Sequence, residues 1–160
     1  MNWALSVVER LALTLILGAG GFIVASVRPA LAKAEQSNLP AHMVLLVEDV
    51  RVSVWLAYNR ASIVAGLVLV GVGLVRAMLG QPRWYIEAGG GALLSLLMYR
   101  KDQIDQQLKA LYDEASDPST VAGSPEYNAN VNQVVQLTVG TLIGAGLLTA
   151  WTAREATQES

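Results

Sequence analysis

The stretch from Ala41 to Leu79 constrains this chain more than any other, because it holds no proline and its first glycine is Gly66. Read as one helix it extends roughly 60 Å at about 1.5 Å per residue, about twice the hydrocarbon thickness of a bilayer. Its two halves differ. Ala61 to Leu79 carries a single charge, Arg76, near its end, whereas the first half holds His42, Glu48, Asp49, Arg51 and Arg60 among aliphatics. Such a helix is expected to cross the membrane with its second half and to continue out of the lipid with its first.

Three further apolar runs are available to pack against it: Leu11 to Val27, Trp84 to Tyr99, and Val134 to Thr152. Charged residues make up only 15% of the chain, against roughly 25% in soluble domains, and the mean hydropathy is +0.41. The expected fold is therefore a single all-α, polytopic transmembrane domain, a four-transmembrane-helix bundle. Its spans fall at about 11–27, 61–79, 84–99 and 134–152, with helical extensions at 40–60 and 100–133 forming a cap on one side. Leu11 to Val27 is followed by Arg28-Pro29-Ala30-Leu31-Ala32, which resembles a signal-peptide cleavage site. The preceding MNWALSVVER is not clearly basic, because Glu9 offsets Arg10, so a retained span is expected.

Local signals place the breaks. Gly80-Gln81-Pro82 ends the long helix. Arg100 to Ala115 is rich in helix formers, and Ile104, Leu108, Leu111 and Tyr112 fall on one face, so the third span should run on as an amphipathic extension. That helix should end near Asp117-Pro118-Ser119, in a loop reaching Gly123. Ser124-Pro125-Glu126 then combines an N-cap serine, proline at the first helical position and an acid in the first turn. Four spans put both termini and the Gly80 turn on one side. Arg10, Arg76, Arg83 and Arg154 lie there, against Arg28, Lys33, Arg51, Arg60, Arg100, Lys101 and Lys109 on the other. The positive-inside rule then favours cytoplasmic long connections, in a bacterial-type inner or plasma membrane.

Of the 14 glycines, 12 lie in the four spans. Lipid tails are as apolar as leucine, so helices in a bilayer associate by close packing at small residues. Thr14, Gly18, Gly21 and Ala25 form one stripe, Ser62, Gly66, Gly73 and Ala77 a second, and Gly91 with Ser95 a third. Packing inside the bundle is favoured over self-association for all of them. Asn128, Asn132, Gln136 and Gly140 form an i+4 stripe on the last helix, a candidate polar seam that polar capping of the helix end explains as well.

Catalytic constellations are scarce. The formal net charge of −2 announces no nucleic-acid surface, and the absence of cysteine removes disulfides, thiolates and sulfur-ligated metals. The single histidine excludes bis-histidine haem. His42 itself could ligate a haem or a chlorophyll magnesium, with an ordinary interfacial residue the favoured alternative. Gly89-Gly90-Gly91 lies inside a span, where helix contact is favoured over a phosphate loop. Glu87 and Arg76 are more pointed, since each is a lone charge in an apolar run, on or near a small-residue stripe. They form a candidate intramembrane ion pair, or the polar path of a transporter; Glu87 could also pair locally with Arg83. In the cap, Leu46, Trp55 and Leu56 exceed what the extension at 100–115 can cover, and they form a candidate partner surface.

Gly20-Gly21-Phe22 leading to Val27-Arg28-Pro29-Ala30-Leu31, then a long polar-to-apolar second helix, an arginine-flanked turn and a third span with a charged extension, resembles the transmembrane protein 205-like domain. This is a family of small four-helix membrane proteins of unknown function, and the resemblance covers most of the chain. It implies the same fold and brings no catalytic residue. The expected function is a non-catalytic accessory or scaffold subunit, not an enzyme, with no cofactor. It would contact membrane lipid and bind a protein partner or a second copy through its cap or its glycine faces. The alternative is a small transporter or channel using Arg76 and Glu87; a membrane enzyme comes third.

Overall fold

The computed structural model describes residues 2–35, 41–82, 84–114, 121 and 124–158. These form four helical rods and, among the described residues, no strand. The first rod is α1 (Asn2–Phe22), a π-helical turn over Ile23–Val27 and α2 (Arg28–Glu35), without interruption. The others are α3 (Ala41–Met78), α4 (Trp84–Glu114) and α5 (Pro125–Gln158). The widened turn has a local cause. Pro29 lacks an N–H, and its ring would clash with the carbonyl four residues back in a regular helix. The chain instead takes an i→i+5 turn, in which the Arg28 N–H bonds the Ile23 carbonyl.

α3 is the unbroken 38-residue helix that the sequence demands. It stops at Gly80, whose φ of +68° is open to glycine at little cost. Gly80 N–H bonds the Ala77 carbonyl and Gln81 N–H the Arg76 carbonyl, each at 3.0 Å, the pattern of a Schellman cap. α5 opens as read, with Ser124 Oγ accepting the Tyr127 N–H at 3.1 Å. Apart from Val121, the loop expected from Asp117 to Gly123 lies outside the described residues, as do the possible Arg83–Glu87 pairing and the His42 side chain.

The rods pack in the cyclic order α1, α3, α4, α5 and back to α1, with α3 and α4 sharing the most extensive interface. There the small-residue stripes meet. A Cβ on Gly91 would lie 2.6 Å from the Gly66 carbonyl oxygen, and one on Gly73 would lie 2.7 Å from the Ala88 nitrogen. Backbones approach this closely only where no side chain intervenes. Below this seam an aliphatic layer of Leu13, Ile16, Leu69, Leu94 and Ala145 fills the bundle centre. Next to it come Ile23, Tyr58 and Met98, with the Tyr58 hydroxyl donating to the Ile16 carbonyl at 3.0 Å across the space left by Gly20.

Three stretches are long and apolar enough to cross a membrane: Trp3–Leu31, Asp49–Met78 and Pro125–Arg154. α4 is the exception, because its apolar stretch is short, carries Glu87 and runs into Arg100-Lys101-Asp102. It nevertheless exposes Leu93 and Leu96 between Tyr85 and Tyr99, the pattern of a lipid face between interfacial aromatics. Its extension buries Ile104 and Leu108 with Val121 and Tyr127, so it covers the start of α5 rather than the exposed face of α3.

One small-residue reading is corrected. Thr14, Gly18 and Ala25 are exposed, and a Cβ on Gly18 or Gly21 would meet nothing within 4 Å. The bulkier Leu13 and Ile16 take the core-facing side of α1 instead, because they fill more of the centre. Asn128, Asn132, Gln136 and Gly140 all face outward.

Candidate functional site

Antiparallel rods bring the start of α1, the end of α3 and the start of α4 together at the end of the bundle that carries the termini. Arg76 sits at that junction. Its Nη1 pairs with Glu87 Oε1, its Nη2 lies 3.0 Å from Glu9 Oε2, and Nη2 also donates to Ser6 Oγ at 3.1 Å. Both carboxylates are buried, Glu9 at 2% exposure and Glu87 at 4%. One guanidinium thus spans two acids from two helices, which suits the fork of an arginine better than the point charge of a lysine. Glu9 escapes sequence reading, since beside Arg10 it looks like part of a polar head. Its signal is helical register: Glu9, Leu13 and Ile16 share the face that turns to the core.

A second buried cluster lies toward the cap. Lys101 Nζ is 2.6 Å from Asp105 Oδ2 and 2.9 Å from Asn59 Oδ1, and Asn59 Nδ2 donates to the same Asp105 oxygen at 2.7 Å. The ammonium also stands 4.1 Å from the centre of the Trp55 ring, a cation–π contact. Lys101 and Asn59 are fully buried. Burial pushes the Lys101 pKa below its usual range, while Asp105 and Asp102 pull the other way. This cluster too is missed by a reading that takes 100–115 as a solvated extension. The available signals were the Lys101–Asp105 spacing of four and a lone asparagine in an apolar run.

The two clusters are 14 residues apart along α4, about 21 Å at 1.5 Å per residue. Between them lie the aliphatic layer and the Tyr58–Met98 layer.

Next to the second cluster a cavity of about 290 Å³ is lined by all four rods. Arg28, Arg51 and Tyr112 stand at its cap end, Trp55 and Asp105 form one wall, and Val24, Val139 and Leu142 lie at its deep end. Arg51 is held by a hydrogen bond from its Nη2 to the Tyr127 hydroxyl at 3.0 Å.

The three residues of the candidate partner surface do not share a face. Leu46 is 58% exposed, whereas Trp55 turns inward against Lys101 and, edge-on, Tyr58. Nine residues of helix rotate Trp55 by about 180° from Leu46, and Leu56 is half-buried between them. Among the described residues no group of histidines and carboxylates is placed to hold a metal.

Fold and surface together define an integral membrane protein built as a four-helix unit, with three helices long and apolar enough to cross the bilayer. No family profile matches the chain, and neither the characterised proteins nor the solved structures contain a match to it.

Proposed function

We propose that the protein is a non-catalytic accessory or scaffold subunit that binds a membrane-embedded partner, a different chain or a second copy of itself. The observation that carries this reading is the outward stripe of Thr14, Gly18, Gly21 and Ala25 on α1. The glycines at positions 66, 73 and 91 are used inside the bundle, and those at 18 and 21 are not. In a bilayer such a face invites the close approach of another helix. The aliphatic layer between the two charge clusters supports this reading over conduction, because the polar groups buried at that depth, Ser62, Ser95 and Thr141, are hydroxyls and not charges. The proposal includes the transmembrane protein 205-like resemblance, a bacterial-type inner or plasma membrane and cytoplasmic long connections.

Single cysteines test it, since the chain has none of its own. Gly18→Cys in native membranes should give crosslinks to a protein partner or a second copy, and Leu15→Cys, about 60° away around the helix on the 42% exposed Leu15, should give fewer. A bulky Gly18→Leu should lose association while the protein stays inserted. Equal crosslinking from both positions, or full association of Gly18→Leu, overturns the stripe as the contact.

A further inference from the structure

The cavity at the cap end lies beyond that reading and rests on separate observations. Its polarity is graded along the bundle. Arg28 and Arg51 stand at the shallow end; Val24 lies four residues deeper than Arg28 on the first rod, and Val139 and Leu142 lie deeper on α5 than Val131, its first lining residue. Thr138 adds no free polarity, because its hydroxyl donates to the Val134 carbonyl at 2.7 Å. Among the described residues Asp105 is the one carboxylate in the wall, and Lys101 and Asn59 neutralise and tether it from behind. Arg28 is exposed and has no ion-pair partner among the described residues. The deep end reaches the outer surface: Val24 is 37% exposed and Val139 50%, so the seam between α1 and α5 opens toward lipid. The π-turn at Ile23–Val27 shapes this opening, a departure from regular helix that is frequent at functional sites.

We propose that this cavity is a binding site for one acidic phospholipid, its phosphate held by Arg28 and Arg51 and one acyl chain lying along the valines of α5. The order of groups matches such a lipid as it already stands in a leaflet, with headgroup toward the cap and chain toward the bilayer middle. The volume, at the low end of the roughly 300–1,000 Å³ of ligand sites, takes one chain and leaves the other in the membrane. Two arginines at headgroup depth favour an anionic over a zwitterionic lipid, and their fork matches phosphate oxygens. The cavity is built whether or not a partner sits on the outward stripe of α1.

The test is retention of lipid by the full chain released from vesicles of equal phosphatidylglycerol and phosphatidylcholine, read by native mass spectrometry. The wild type should keep one phosphatidylglycerol, preferred about tenfold, and Arg28→Gln should cut that preference roughly fivefold. Val135→Trp, which fills the cavity, should abolish retention. Val24→Trp narrows the opening from an exposed position and should do the same with helicity and melting temperature unchanged. Inorganic phosphate alone should not raise the melting temperature. Equal retention of both lipids, undiminished retention in Val24→Trp, or stabilisation by phosphate equal to that by phosphatidylglycerol each overturns the proposal.

Discussion

Arg76 is the residue on which the terminal end depends. Arg76→Gln would leave two buried carboxylates facing each other, at a cost of about 3–5 kcal/mol. Glu87→Gln keeps the Arg76–Glu9 contact and should cost less, about 1–3 kcal/mol. In detergent unfolding the double variant should lose less than the sum of the singles, and strict additivity would show the pair to be uncoupled. Lys101 makes a different kind of prediction. Its pKa is lowered in the folded state by burial, so the unfolded chain binds that proton more firmly. The contribution of Lys101 to stability therefore rises with pH, from its lowered native pKa up to the unfolded value of 10.5. Comparing the melting temperature with that of Lys101→Met across this range isolates the effect. The wild type should gain relative to the variant as pH rises, and a relative loss would refute the sign. Arg76 and Glu87 are legible in the sequence because a charge alone in an apolar run stands out. Lys101 and Asp105 are not, because a charge among charges looks like a solvated surface.

At the scale of elements, the end of α3 and the start of α5 are marked by their chemistry, whereas the continuation of the first rod through Pro29 to Glu35 and the rotation of each helix about its axis are not. Gly80 and Ser124 announce their turns through backbone conformation and side-chain reach, which are local properties. The outward face of α1 depends on a competition between Leu13 with Ile16 and Gly18 with Gly21 for the centre, and periodicity does not rank two faces that are both apolar. The α3–α4 seam offers a direct check. Gly91→Ala places a methyl group against the Gly66 carbonyl and should destabilise by about 1–3 kcal/mol, whereas Gly89→Ala meets nothing and should be neutral or gain up to about 1 kcal/mol in helix propensity. Similar losses in both variants would mean that the helices do not approach so closely.

For the whole molecule, four antiparallel rods put Gln81 at the end opposite to Glu114. Gln81→Cys and Glu114→Cys should be labelled by an impermeant maleimide from opposite faces of sealed vesicles. Labelling from one face would mean that α4 does not cross. The triad at the terminal end also fixes a sequence of events during synthesis. Arg76 and Glu87 are 11 residues apart across a tight turn and can neutralise each other as soon as α3 and α4 exist as a hairpin. Glu9 is made 67 residues before Arg76, so its first helix enters the membrane ahead of the cation that will hold it. Glu9 therefore gains its cation only after the segment that carries Arg76 has been made.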